Sequence, residues 1–134
     1  MHSSERMHAL VNDIGAYPEF LPWCSKALIL EKDAKFMLAS LEVSKGGVKQ
    51  CFTTRNDLSE DGRIIMSLVD GPFSHLNGVW DFTFLQENAC KVALNLEFEM
   101  KRNITKMAFG AIFNQAANTM VDAFCVRADQ VYGK

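Results

Sequence analysis

The stretch Lys91-Val92-Ala93-Leu94-Asn95-Leu96-Glu97-Phe98-Glu99-Met100-Lys101, followed by a long segment that opens at Asn103, decides how this chain folds. Val92, Leu94, Leu96, Phe98 and Met100 alternate with Lys91, Ala93, Asn95, Glu97, Glu99 and Lys101. A period of two places one face of a strand in a core and leaves the other in water. From Asn103, a suitable N-cap, the period becomes helical and runs to about Tyr132, where Gly133 can end it. The apolar positions Ile104, Met107, Ala108, Ala111, Ile112, Ala116, Met120, Val121, Phe124 and Ala128 form a stripe broader than a simple surface helix needs, and Phe109 and Phe113 widen it. A half-wet sheet needs a cover, and this helix can supply it.

Upstream, the period of two holds from Lys26 onward in six runs. They are separated by turn signals near Asp33, at Gly46-Gly47, at Asp61-Gly62, over the Asp70 to Gly78 stretch, and at Glu87-Asn88. The reading is an antiparallel meander, with Trp80, Phe82 and Phe84 as an aromatic row and Met37, Ala39, Leu41 and Val43 as an apolar one. Ahead of it, Ser3 or Ser4 can cap a helix carrying Met7, Leu10, Val11 and Ile14 and closed by Gly15, after which Tyr17-Pro18-Glu19-Phe20-Leu21-Pro22-Trp23 fits one short helical turn. Because sheets twist, a long helix touches such a sheet over only part of its length, which leaves room beneath it.

The chain has 134 residues, 49% hydrophobic and 22% charged, with a net charge of -2, and reads as one α+β domain over residues 1–134. This balance excludes disorder and gives no global attraction to nucleic acid. No apolar run is long enough to span a bilayer and the polar start lacks a signal-peptide core, so a cytoplasmic protein is expected. Cys24, Cys51, Cys90 and Cys125 are far from metal or redox spacing and read as free thiols, while His2, His8 and His75 are scattered, with His75 in a loop. No metal site and no cofactor are expected.

No catalytic motif is present, and an enzyme is not expected. Glu97 and Glu99 share the polar face of their strand, and Asp70 belongs first to a turn. Lys45, Lys49 and Arg55, together with Lys101, Arg102 and Lys106, form a candidate RNA-facing patch. Phe20, Leu21, Pro22, Trp23 and Phe73 form an apolar cluster of the kind that gates a lipid cavity or touches a membrane transiently.

The order of short helices, six-strand meander and long C-terminal helix resembles the helix-grip fold of the START-like, polyketide cyclase-like (SRPBCC) proteins. Leu10-Val11-Asn12-Asp13, Tyr17 to Cys24, Phe52-Thr53-Thr54-Arg55-Asn56, Leu68 to Phe73 and Met120 to Phe124 are similar to strings of the coenzyme-Q-binding START family, whose bacterial members include ribosome association toxins. The similarity runs from about Ser3 to Tyr132. It implies a curved antiparallel sheet wrapped around the C-terminal helix, with the family's first strand missing. The edge so left open invites pairing with a second copy. Phe84 stands where the family commonly has Pro, so a regular strand end is expected there.

Two functions follow from the resemblance. The first is non-enzymatic binding of a ubiquinone-like polyprenyl quinone or related lipid between sheet and helix, in support of respiration. Trp80, Phe82, Phe84, Leu94, Leu96, Phe98, Ile112, Ala116 and Met120 would line that site, with Pro22, Trp23 and Phe73 at its mouth. The alternative is a toxin that binds the large ribosomal subunit and hinders subunit association, with Lys45, Lys49, Arg55, Lys101, Arg102 and Lys106 meeting RNA.

Overall fold

The computed structural model of the chain describes residues 2–45, 47–101 and 104–133, and for 104–108 the backbone alone. Ser3 caps the first helix, its Oγ accepting from the Arg6 N–H at 3.2 Å, and α1 runs over Ser4–Asn12 with Met7, Leu10 and Val11 buried. It ends ahead of Gly15, because Ile14–Glu19 winds into a 3-10 helix that contains Pro18. The Tyr17 hydroxyl donates to the Val11 carbonyl and ties this short helix to the end of α1. Burial, then the neighbouring Cys24 and Asp13, pushes the Tyr17 phenol well above its ordinary pKa.

Six antiparallel strands follow in sequence order across one sheet: β1 (Cys24–Lys32), β2 (Phe36–Lys45), β3 (Val48–Asp57), β4 (Arg63–Asp70), β5 (Phe73–Gln86) and β6 (Ala89–Met100). The expected Asp70 to Gly78 loop is a tight turn at Gly71-Pro72, after which β5 starts at once. His75 therefore sits on a strand, its Nδ1 3.9 Å from a Glu99 carboxylate oxygen. Gly71 takes a φ of +152°, and a Cβ there would lie 2.7 Å from the Phe52 Cβ, which explains the glycine. Past Phe84 the strand continues to Gln86, with a register shift between the two. Strands β1 and β6 are the sheet edges, and among the described residues no strand precedes α1.

Helix α2 spans Ile104–Tyr132, 29 residues or about 44 Å, and closes at Gly133 with φ +82°. Arg102 and the expected cap Asn103 lie outside the described residues, as does the Lys106 side chain. Two aromatic clusters fix the helix on the sheet. Near its start, Phe109 and Phe113 meet Phe73, with Phe52 and Phe98 edge-on around them. Further along, Phe124 packs edge-on against Trp80, Tyr17 and Phe20. Between the clusters α2 presents Ala116, Ala117 and Met120, side chains too short or too flexible to fill the gap as the phenyl rings do.

The far end of α2 is clasped by the chain's beginning. His2 Nε2–H donates to Asp129 Oδ1 at 2.8 Å, the Tyr132 hydroxyl donates to the Arg6 carbonyl at 3.2 Å, and the Arg6 guanidinium lies 5.2 Å from the centre of the Tyr132 ring. No helix among the described residues is long and apolar enough to cross a membrane.

Candidate functional site

The strand alternation that buries Phe52 on β3 also turns Thr54 and Asn56 inward, to 7% and 4% exposure. Asn56 pairs with Met37 and Met66 on its two sides, Met66 with Gly78, and Gly78 with Leu96. At Gly78 an added Cβ would stand 2.5 Å from Met66 Cε and 2.9 Å from Leu96 Cδ1, so the missing side chain is what lets these two cross the sheet's inner face. Above this floor, beneath Phe113, Ala116, Ala117 and Met120, lies an apolar cavity of about 60 Å³. Its lining holds no charged residue. Thr54 Oγ1 donates to Asn56 Oδ1 at 3.0 Å.

Of the residues expected to line a ligand site, Trp23, Trp80, Leu94, Leu96, Ala116 and Met120 surround this cavity. Pro22 and Ile112 lie outside it, in a groove of about 160 Å³ shared with Lys45, Gln115 and Thr119, and Trp23 and Ala116 belong to both spaces. Pro22 is thus at an entrance and Trp23 and Ala116 form the wall behind it. Phe73 is not at the mouth: it is 1% exposed in the first aromatic cluster, where Phe98 also packs. Phe82 stacks behind Trp80 at 6.1 Å and meets His8 of α1, beyond the reach of α2. Phe84 is 64% exposed, farther out on the same strand.

The apolar cluster at residues 20–23 is not an exposed patch. Leu21 and Trp23 are buried and Phe20 packs on Tyr17 and Phe124, which leaves Pro22 alone at the surface. Ile14, Tyr17, Ala39, Leu41, Phe52, Thr54, Asn56, Met66, Leu76 and Phe113 complete the cavity wall together with Ala117, a small residue of the helix whose spacing allows it to line a space beneath α2; the others were not expected there. Helical spacing marked Ile14 and Phe113 as core, and period-two spacing Ala39 and Leu41, without separating cavity from dry packing.

The basic residues do not form one patch. On β3, Lys49 and Arg55 share the outer face with Cys51 and Thr53, about 20 Å apart along the strand. Lys49 is paired with Glu42 at 3.6 Å, while the Arg55 guanidinium lies 4.6 Å from the centre of the Phe36 ring. A hydrogen bond from Ser25, and then the Lys49 charge, hold the Glu42 carboxyl below its ordinary pKa. Lys45 is on the other face, in the groove beside Trp23 and Ile112. Lys101 is exposed at the end of β6, its N–H donating to the Pro72 carbonyl at 3.0 Å. All four cysteines are free thiols.

A family model described as polyketide cyclase / dehydrase and lipid transport matches residues 2–125. The ribosome association toxin RatA of Vibrio cholerae is 53% identical over 132 residues, which cover 98% of this chain and 92% of the toxin. The mitochondrial coenzyme Q-binding protein COQ10 homolog B of Xenopus laevis is 26% identical over 136 residues, covering 98% of this chain and 56% of that protein. Among solved structures, the Zhui aromatase/cyclase from Streptomyces sp. R1128 superposes with a TM-score of 0.83 at 17% identity, covering 96% of this chain and 88% of the other. A START superfamily protein from Mycobacterium smegmatis gives 0.80 at 19% identity, covering 97% and 92%. At these identities the structural matches show a common helix-grip fold.

Proposed function

This chain belongs to the polyketide cyclase / dehydrase and lipid transport family, and within it we propose that the protein is a ribosome association toxin that binds the large ribosomal subunit and hinders subunit joining. The observation that carries this reading is the 53% identity to RatA across 98% of the chain. The outer surface supplies cations for phosphate contacts in Lys49, Arg55 and Lys101, against a net charge of -2 that gives no general affinity for RNA. We read the protein as a binding protein rather than an enzyme, because the cavity wall carries no carboxylate, histidine, lysine or thiol to act as acid, base or nucleophile. The test is cosedimentation with purified large subunits at rising KCl. Binding that falls steeply with salt, and falls further in Lys49→Glu/Arg55→Glu, supports the proposal, and failure to cosediment at low salt overturns it.

A second reading, binding of an apolar small molecule, is favoured by the enclosed cavity and by the similarity to a coenzyme Q-binding protein. A cavity of about 60 Å³ is well below the 300–1,000 Å³ typical of ligand pockets. In this closed form it does not admit a polyprenyl quinone whole. The ring would enter by displacing Met66 or Met120, and the tail would run out past Trp23 into the groove beside Pro22 and Ile112.

A further inference from the structure

We propose that Arg55, backed by the ring of Phe36, is a stacking platform on the outer face of the sheet that takes an unpaired nucleobase of RNA. This inference rests on the ribosomal reading and adds the part of the RNA that the surface recognises and the residue pair that recognises it.

Both helices lie on the inner face, where α2 packs through Phe109, Phe113 and Phe124 and α1 through the contact of His8 with Phe82. The pairing of β2 with β3 sets Leu38 opposite Arg55 and Phe36 opposite Asp57, so Phe36 and Arg55 are diagonal neighbours on the outer face. The guanidinium lies over the Phe36 ring, 4.6 Å from its centre. Arg55 is exposed and Phe36 half-buried, which makes the ring the inner layer of the pair and the guanidinium the outer one. Asp57 acts on this cation through its charge, but its Oδ1 accepts from the Ser59 N–H at 2.9 Å and from the Ser59 hydroxyl at 2.6 Å. Arg55 makes no salt bridge among the described residues.

Such a layer matches an unpaired base. A guanidinium is planar and weakly hydrated, and a nucleobase stacks on it as on an aromatic ring. In an RNA duplex both faces of each base are already stacked, so the partner is a base in a loop, a bulge or an end. The row continues across the sheet from Arg55 to Ser67 and Asn77, both exposed, whose hydroxyl and amide offer donors and acceptors to a base edge. It ends at Glu97, whose charge repels phosphate and keeps the RNA backbone toward β3, where the outer face also carries Lys49.

The probes are an oligoadenylate and an abasic ribose-phosphate chain of equal length, which share one backbone charge and differ by the bases. Fluorescence anisotropy at low salt on the full chain should show the oligoadenylate binding about tenfold more tightly than the abasic chain. Arg55→Lys keeps the charge and should erase that preference through loss of oligoadenylate affinity, with abasic affinity within about twofold of the parent. Phe36→Leu should lose most of the preference and Phe36→Tyr should keep it, which separates removal of the ring from disturbance of the strand. Arg55 is exposed, so its variant carries the test if Phe36→Leu does not fold. Affinity for purified large subunits should fall several-fold in Arg55→Lys and Phe36→Leu with an unchanged salt dependence, because neither removes a charge. Equal binding of the two chains by the parent, binding of neither, or a preference that survives Arg55→Lys overturns the platform. The ribosomal reading then stands if the parent still binds large subunits and falls if it does not.

Discussion

Lys45 and Lys49 occupy the two arms of one hairpin and face opposite sides of the sheet. Lys45 lies in the groove beside Trp23 and Ile112, whereas Lys49 is on the outer face, paired with Glu42 at 3.6 Å. Two cations that look contiguous in sequence are therefore separated by the thickness of a strand, and charge reversal should tell them apart. Lys49→Glu should weaken association with the large ribosomal subunit several-fold at low salt and reduce its salt dependence, as expected when a phosphate contact is removed. Lys45→Glu should leave that association within about twofold of the parent. Equal losses in sedimentation would mean that RNA approaches from the groove side.

Ala116→Phe separates the cavity from the surface. Ala116 is 5% exposed and belongs to both the cavity and the groove wall, so a phenyl ring there fills the space beneath α2. Overpacking should cost about 1–3 kcal/mol in urea unfolding. Binding of a small apolar quinone such as duroquinone, followed by titration calorimetry, should disappear while ribosome association persists, and joint loss in a variant that remains folded would show that the two functions share a site.

Gly71→Ala tests the turn that delivers Phe73 into the core. With φ at +152° and a new Cβ 2.7 Å from that of Phe52, neither strain nor clash can relax without moving β3 or β5. A loss of about 2 kcal/mol or more is expected in chemical denaturation. A loss under about 0.5 kcal/mol would contradict the turn as described.

Alkaline pH should destabilise the fold through Cys24. Burial pushes its thiol from an ordinary value near 9 up to about 11, against a backbone hydrogen bond at Lys26 that acts to lower it. Above about pH 9 the unfolded chain loses this proton first. The folded state then binds more protons, and stability falls as pH rises from 9 through 11. Cys24→Ala should flatten that part of the curve of unfolding free energy against pH, and an unchanged slope would remove Cys24 as its source.

Much of the fold was legible because its strands alternate strictly. Val92 to Met100 declared a half-wet strand, and the run ending at Tyr132 declared the helix that covers it. The Asp70 to Gly78 stretch was misread because Gly78 signals a break in a sequence, yet in the sheet it is the gap that Met66 and Leu96 need. Phe73 was misplaced for a related reason: beside Gly71-Pro72 it looks like a loop residue, but the turn is so tight that the ring points straight into Phe109 and Phe113. Thr54 and Asn56 passed unnoticed because Thr53-Thr54-Arg55-Asn56 is polar on both faces. Only the pairing with β2, which sets Thr54 opposite Ala39 and Asn56 opposite Met37, shows which of them face inward.

Subunit joining tests the ribosomal reading most directly. Purified small and large subunits would be mixed with increasing amounts of the protein, and the 70S fraction followed by light scattering and on sucrose gradients. The 70S fraction should fall with dose, the protein should travel with the large subunit, and Lys49→Glu/Arg55→Glu should require several-fold more protein for the same effect. Unchanged joining at protein in large excess, with nothing carried on the large subunit, would contradict it.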